Sequence, residues 1–282
     1  MTVAFQGERG AFTELAAIEY FNGKKKAIAF QDAKEVFGAV EKGAIEYGII
    51  PIENSLGGSI HSNYDRLLLH DLFISGEIYL KISQVLMANK GTTIGKVRKI
   101  FSHPQGFEQC RNYLEKLGRV ALVPVSNTAA AAKMIKDEEI ADAAAISSMQ
   151  AVIDYDLRIL ARDIEDQKDN ITRFLILSKK PKHVHTQKAM KTSIVFSLKN
   201  CAGSLFRALS VFALRDIDLL KIESRPVKKR PFEYMFYLDF AGSEDGERQR
   251  NALNHLREIT VFCRVLGSYP VGRLAHPEYK KR

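Results

Sequence analysis

A unit of strand, polar strand end and helix start recurs through the first 180 residues, and this repetition constrains the fold most strongly. The strand Val3 to Gln6 precedes the glycine turn Gly7 to Thr13, and the buried strand Tyr47 to Ile52 precedes the polar run Glu53 to Ser59. This order predicts a doubly wound α/β region in which ligands bind beyond the strand ends. We therefore expect two lobes around a cleft, lobe one at about 1–77 plus 160–180 and lobe two at about 78–159.

The composition changes after residue 180. The residues 181–190 are polar and basic and are predicted to form a linker. The residues 191–270 have the order βαββαβ, which predicts a ferredoxin-like domain. The residues 271–282 are predicted to be a loose basic tail.

Composition excludes several classes of protein. No window approaches the roughly 20 apolar residues of a membrane span, and Met1 to Gln6 lacks the charged and apolar regions of a signal peptide, so a cytoplasmic protein without membrane contact is expected. The three scattered cysteines suggest neither disulfides nor a zinc site. The net charge of +9 could suit an anionic ligand, but no nucleic-acid-binding pattern accompanies it, so no nucleic-acid partner is expected.

The stretch Asn170 to Phe174 places an amide, a hydroxyl and a guanidinium at the mouth of an apolar strand. Polar groups at a strand end are available to a ligand in the cleft. The plain structural alternative is a turn followed by an edge strand, with Asn170 in the turn and Arg173 solvated.

Further polar clusters follow other strand ends. Each one also has a structural explanation as a turn or a helix cap, but several helix starts facing one cleft suit an anion with more than one carboxylate. The clusters are Gly7 to Thr13, Glu53-Asn54-Ser55, Ser102-His103-Pro104-Gln105 and Ser126-Asn127-Thr128.

These motifs, taken in order, resemble those of monofunctional prephenate dehydratases. The matching segments also include Pro51 to Ser55 with Gly58, Gln109-Cys110, Ser126 through Ala132, and Glu223-Ser224-Arg225-Pro226. The resemblance covers nearly the whole chain. It implies a catalytic region like type 2 periplasmic binding proteins at 1–180, followed by a regulatory ACT domain at 191–270.

The resemblance implies conversion of prephenate to phenylpyruvate in phenylalanine biosynthesis, without a cofactor or metal. Thr172 would donate to the leaving hydroxyl, while Asn54, Gln105, Glu53 and Ser102 would position the substrate ring. Substrate contacts, mainly with the carboxylates, would come from Arg173, Phe174, Thr13, Ser126, Asn127 and Thr128. Arogenate dehydratase and a non-catalytic two-lobed receptor are the alternatives.

The resemblance also implies feedback by L-phenylalanine, bound between paired ACT domains in a dimer or tetramer. The implied effector residues are Asn200, Ala202, Gly203, Ser204, Leu205, Glu223, Ser224, Arg225 and Pro226. The turn from Asn200 to Leu205 departs from the family's Gly-Ala-Leu signature after Asn-x-Pro, because both the proline and the alanine are replaced.

Overall fold

The computed structural model describes residues 2–182, 188–227, 233–277 and 279. Within the first 81 residues, strands and helices alternate as the sequence predicts. Asp32 and Glu35 form the expected capping box, since the Asp32 carboxylate accepts from the Glu35 N–H and the Glu35 carboxylate accepts from the Gln31 N–H. The elements are β1 (Thr2–Gln6), α1 (Phe12–Phe21), β2 (Lys26–Phe30), α2 (Ala33–Glu41), β3 (Tyr47–Asn54), β4 (Gly58–Ser59), α3 (His61–Leu69) and β5 (Phe73–Lys81).

In the middle of the chain, several helices begin at residues whose side chains cap them. Asn127 accepts from the Ala130 N–H, and Ser148 accepts from the Ala151 N–H. The elements are β6 (Val85–Ala88), β7 (Lys99–Ser102), α4 (Pro104–Gln109), α5 (Arg111–Leu117), β8 (Ala121–Pro124), α6 (Thr128–Asp137), β9 (Ala143–Ser147), α7 (Met149–Asp154), β10 (Arg158–Ala161) and β11 (Ile171–Ser178).

The remaining chain builds a four-stranded antiparallel domain. Its sheet has the order β13-β14-β12-β15, which is the ferredoxin-like arrangement. The residues 183–187 of the predicted linker lie outside the described part. The elements are β12 (Met190–Ser197), α8 (Ser204–Ala213), β13 (Leu219–Pro226), β14 (Tyr234–Ala241), α9 (Glu247–Ile259), β15 (Phe262–Pro270) and β16 (Leu274–Ala275).

The catalytic region contains two mixed sheets. The first has the order β16-β5-β11-β3-β1-β2, and the second has the order β10-β6-β9-β7-β8. The chain passes between them at residues 82–84 and 162–170. The lobe boundary expected near residue 77 therefore falls inside β5, because this strand continues to Lys81. Two α/β lobes followed by a βαββαβ domain confirm the predicted fold class.

The C-terminal sheet uses both of its faces. One face packs on α8 and α9 through Phe196, Phe212 and Leu253. The other face joins a single apolar cluster with lobe one, in which Val195 and Tyr237 pack with residues such as Tyr64. Because burial of apolar area drives association, this shared core fixes the C-terminal domain against lobe one.

The predicted loose tail is wrong for the described residues beyond 270. Leu274 and Ala275 form β16, which pairs with β5, and Ala275 is fully buried. Tyr279 packs against the lobe-one core, and Arg273 donates to the Glu19 carbonyl. The prediction considered the charges of this segment and overlooked its two apolar residues. Within residues 2–182, 188–227 and 233–277, no helix is long and apolar enough to cross a membrane.

Candidate active site

A cleft of about 200 Å³ lies between the two lobes. The ends of β3 and β11 and the starts of α1, α4 and α6 meet around it. The structure thus brings together residues that are far apart in sequence, as expected for polar groups at strand ends. Of the residues predicted to act on the substrate, those that line the cleft are Thr13, Asn54, Gln105, Ser126, Asn127, Thr128, Thr172 and Phe174.

Asn54 fixes the orientation of the Thr172 hydroxyl. The Asn54 Oδ1 accepts from the backbone N–H groups of Leu56 at 3.1 Å and Gly57 at 2.8 Å, so the Nδ2 must face the other way. That nitrogen donates to Thr172 Oγ1 at 2.9 Å and to Asn170 Oδ1 at 2.6 Å. The Thr172 oxygen is therefore an acceptor on this side, and its own proton is available to the cleft.

The described lining of the cleft carries no formal charge, but it offers the start of a helix to an anion. Of the described residues that line it, none is Lys, Arg, Asp or Glu. Helix α6 begins at this surface with Asn127 as its cap and has no acidic residue in its first turn. Helix α1 is less suited, because the Glu14 carboxylate already accepts from the Gly10 N–H at its start. We therefore expect a carboxylate to bind at the start of α6, near Ser126 and Thr128.

Lobe two meets lobe one at Gln105. A Cβ on Gly57 would lie 2.5 Å from the Gln105 Nε2, so a larger residue at this position would displace the Gln105 side chain. His103, which the sequence favours as a structural histidine, also lines the cleft, and its Nδ1 accepts from the Gln105 N–H at 3.2 Å. Burial lowers the pKa of His103, which favours the neutral form that this accepted bond requires.

Sequence reasoning missed Gln84 and Gln109 as cleft residues. Gln84 Nε2 donates to Gln109 Oε1 at 3.0 Å, and both side chains line the cleft. Gln84 lies in the segment between the two sheets and is almost fully buried. The extended run 74–88 also contains Glu77, Lys81 and Ser83, so no local signal separates Gln84 from its polar neighbours.

Arg173 is not in the cleft, and its predicted contact with a substrate carboxylate is wrong. Side chains alternate along a strand, so Thr172 and Phe174 face the cleft and Arg173 faces the C-terminal domain. Its guanidinium lies 2.7 Å from Glu77 and 2.7 Å from Asp239. Burial acts to lower the pKa of Arg173, but these carboxylates outweigh it and hold the pKa well above its ordinary value.

Glu53 and Ser102 also differ from their predicted catalytic positions. Glu53 alternates with Asn54, points away from the cleft and pairs with Lys221 at 2.8 Å. Ser102 is fully buried and donates to the Ile146 carbonyl at 3.0 Å. Its hydroxyl thus joins two neighbouring strands.

Among the predicted effector residues, Glu223 and Arg225 bind lobe one. Glu223 accepts from the Ser59 hydroxyl at 2.5 Å, and Arg225 donates to Asp65 at 3.2 and 3.3 Å. Both side chains are therefore engaged with lobe one, and their expected effector contacts remain a prediction. Ser224 and Pro226 are exposed on the opposite face of β13. Asn200, Ala202 and Gly203 are exposed in the turn before α8, and Ser204 and Leu205 are half-buried in its first turn.

No group of three or more His, Cys, Asp or Glu side chains suited to a metal occurs in the part of the chain that the structure describes.

The fold and the neutral, donor-rich cleft define a two-lobed α/β protein with a binding cleft between its lobes. The prephenate dehydratase family pattern matches residues 3–182, and the chain belongs to this family. Members of the family are carbon–oxygen lyases, so the protein is an enzyme of that class. It acts in aromatic amino-acid biosynthesis.

The relatives include proteins with two named activities. Arogenate dehydratase/prephenate dehydratase 2 of Arabidopsis thaliana is 49% identical over 278 residues, which are 95% of this chain and 72% of the relative. The crystal structure of a prephenate dehydratase from Arthrobacter aurescens in complex with L-Phe has a TM-score of 0.88 and 31% identity, and the match covers 96% of this chain and 90% of that one.

A second solved structure shows that this fold supports more than one named activity. GqqA, described as a quorum-quenching acylase, has a TM-score of 0.86 and 29% identity, covering 96% of this chain and 98% of that one. The activity must therefore be argued from the site.

The predicted cytoplasmic location is wrong by these comparisons. Five of the Arabidopsis relatives are named chloroplastic. The prediction tested residues 1–6 only for the charged and apolar regions of a secretory signal. Plastid transit sequences have a different composition, so such a test does not recognise them.

Proposed function

We propose that this protein is a prephenate dehydratase that produces phenylpyruvate for phenylalanine biosynthesis. The observation that carries the proposal is the Thr172 hydroxyl, oriented by Asn54 and facing a cleft without charged side chains. Prephenate is a dianion with a leaving hydroxyl on its ring. The helix start at α6 suits one of its carboxylates, and Thr172 suits the hydroxyl.

The reaction needs alignment and one hydrogen-bond donor. The bond between the ring and its carboxylate breaks, the carboxylate leaves as carbon dioxide, and the electron pair of the broken bond becomes part of the aromatic ring. The bond between the ring and the hydroxyl breaks at the same time, and the departing oxygen takes up a proton to leave as water. Aromatisation supplies much of the driving force.

Thr172 acts on the departing oxygen. A threonine hydroxyl is a weak acid in water, so its contribution is a preorganised hydrogen bond that strengthens as negative charge develops on that oxygen. The proton that completes the water comes from the Thr172 hydroxyl or from solvent next to it. Where Thr172 gives its proton, it takes up another from solvent. Gln105, across the cleft, positions the ring, and Phe174 provides an apolar contact for it.

Arogenate is the second candidate substrate, because relatives carry both names. Arogenate differs from prephenate by an ammonium group in place of the keto oxygen. Among the described residues, those that line the cleft offer this ammonium no carboxylate. The neutral cleft therefore favours prephenate.

The substrate assay separates these candidates. Purified protein is mixed with prephenate at neutral pH, the reaction is stopped in alkali, and phenylpyruvate is measured by its enolate absorbance. A parallel reaction with arogenate is analysed for phenylalanine. We expect a higher kcat/KM with prephenate. Turnover of arogenate alone would change the substrate, and turnover of neither would reject the proposed function.

We propose further that the C-terminal domain is an ACT domain that binds L-phenylalanine, and that this binding reduces the dehydratase activity. Its ferredoxin-like topology and the L-Phe complex of the Arthrobacter aurescens protein support this. We propose that the effector contacts the residues from Asn200 to Leu205, because Glu223 and Arg225 already bind lobe one. Millimolar L-phenylalanine should lower the rate and raise the Tm, and no change in either would reject the regulation.

Self-association through the C-terminal domain accompanies this proposal. Strand β13 lies at the edge of its sheet, and Leu220 and Ile222 on it are 44% and 45% exposed. Phe206 and Leu214 on α8 are exposed by 76% and 78%. An apolar edge of this kind is suited to pairing with a second copy. Ile222→Lys should shift a dimer or tetramer toward the monomer in sedimentation velocity.

A further inference from the structure

The segment from Glu53 to His61, which joins β3 to α3, forms one wall of the cleft. Asn54 at its start and Ile60 near its end both line the cleft. Gly57 in its middle packs directly on Gln105 of lobe two. The position of this segment therefore determines where the Asn54 amide lies and how lobe one contacts lobe two.

The first half of the segment is held by the catalytic region itself. Ser55 donates its hydroxyl proton to the Asp169 carbonyl at 3.0 Å and accepts from the Ile171 N–H at 2.9 Å. The Asn54 side chain caps two N–H groups of the following turn. These bonds connect the beginning of the segment to β11.

The C-terminal domain holds both ends of the same segment. Lys221 Nζ lies 2.8 Å from Glu53 Oε1 and 3.3 Å from Ser59 Oγ. Glu223 accepts from Ser59 at 2.5 Å and lies 3.1 Å from His61 Nε2. Lys221 and Glu223 are two residues apart on β13, so their side chains share the face of that strand which meets lobe one.

Lys221 and Glu223 are the shielded members of these contacts, whereas the Glu53 and His61 side chains are 36% and 52% exposed. The Lys221 and Glu223 side chains are only 14% and 19% exposed, so water and salt screen them less than they screen a surface pair. Lys221 and Glu223 also lie 3.7 Å apart. Together with Glu53, Ser59 and His61 they form one connected network of five side chains. A network of this kind holds its members in a single geometry.

We propose that Lys221 and Glu223 are positioning residues for catalysis, because they hold the segment from Glu53 to His61 in the place where Asn54 orients Thr172. This inference rests on the proposed function. It gives the C-terminal domain a role in the basal activity of the cleft, separate from any effector. Neither residue contacts the substrate, and both act through the segment.

The kinetic test uses the full-length variants Lys221→Met and Glu223→Gln. We expect kcat for prephenate to fall about tenfold in each, with KM changed less than about twofold, since a misplaced catalytic group lowers the rate while the helix start at α6 still binds the substrate. Lys221→Arg should recover most of the lost kcat. Wild-type kcat in both variants would overturn the proposal.

Arg264→Met is the matched control. Arg264 also joins the C-terminal domain to lobe one, through the carbonyls of His70 at 3.1 Å and Leu72 at 2.8 Å, and its side chain is 22% exposed. It does not contact the segment from Glu53 to His61. We expect Arg264→Met to keep kcat within about twofold of wild type. A loss equal to that of Lys221→Met would show a general effect of domain contact and would overturn the proposal.

A second readout follows the segment without turnover. The chain contains no Trp, so Leu56→Trp places a single indole in the segment, where Leu56 is 41% exposed. In this background, Lys221→Met and Glu223→Gln should shorten the anisotropy decay of the indole, and Arg264→Met should not. Unchanged anisotropy would overturn the positioning role, as would faster motion with unchanged kcat. If wild-type protein fails to convert prephenate, the proposed function fails while the anisotropy still tests the segment.

Discussion

The Asn54 amide nitrogen lies 2.9 Å from the Thr172 hydroxyl oxygen, across paired positions of two neighbouring strands. Two backbone N–H groups bind the Asn54 oxygen, so the amide cannot turn over without losing both bonds. The relationship makes Thr172 an acceptor toward Asn54 and a donor toward the cleft. The proposed chemistry depends on this direction.

Asn54→Asp should reverse the direction of the hydrogen bond between residue 54 and Thr172, while it keeps the shape of the side chain. A carboxylate accepts from Thr172 and turns its proton away from the cleft. Asn170 now faces residue 54 with its Oδ1, and after its amide turns over, the Nδ2, which has no partner among the described residues, can donate to the new oxygen. We expect kcat for prephenate to fall by about 10² to 10³ with a cooperative urea transition retained. A kcat within tenfold of wild type would show that the orientation is unimportant.

Glu77→Gln should destabilise the protein strongly. The Glu77 carboxylate is fully buried and lies 2.7 Å from Arg173 and 2.9 Å from Lys191. Removing its charge leaves two buried cations with less compensation, which costs about 3 kcal/mol in the free energy of unfolding. Urea unfolding measures this loss.

Glu46→Gln provides the comparison for Glu77→Gln. Glu46 pairs with Lys25 at 3.1 Å, but its side chain is 34% exposed, so we expect a loss below about 1 kcal/mol. If both variants lost a similar free energy of unfolding, the buried ions between lobe one and the C-terminal domain would not stabilise the protein more than a surface pair does.

His103 should make stability depend on pH. Burial lowers its pKa from 6.5, although Glu108 acts in the opposite direction. The unfolded chain therefore binds this proton more readily than the folded chain. The contribution to stability is full above pH 6.5 and is lost as the pH falls through the lowered pKa.

His103→Asn removes this titration and keeps a side-chain acceptor for the Gln105 N–H. Urea midpoints at pH 7.5, 6.5 and 5.5 measure the effect. The variant should lose less stability than wild type on acidification. An equal or greater loss would assign the pH dependence to other groups.

Local patterns predicted the elements around the site. Asn127, in the cluster Ser126-Asn127-Thr128, caps α6 because capping is decided by residues close together in sequence. The gathering of Asn54, Gln105, Asn127 and Thr172 followed from a general property of α/β sheets, whose strand ends meet at one crevice. The cleft was thus largely predictable.

The faces of β3 and β11 were predicted less well. Strand alternation alone places Glu53 and Arg173 opposite Asn54 and Thr172, but their charges suggested a ligand. Their actual partners, Lys221 and Asp239, are far away in sequence and belong to the C-terminal domain. No local pattern shows that this domain packs on lobe one, so the interdomain ion pairs required the structure.

The central claim is that the Thr172 hydroxyl donates to the departing oxygen. Removing the oxygen atom of that hydroxyl tests it most directly. Thr172→Val keeps the branched shape suited to β11 and loses the hydroxyl, whereas Thr172→Ser keeps the hydroxyl. Initial rates of phenylpyruvate formation at saturating prephenate compare the two variants with wild type. We expect Thr172→Val to lose at least about 10²-fold in kcat and Thr172→Ser to stay within about tenfold. Near-wild-type turnover by Thr172→Val would contradict the account.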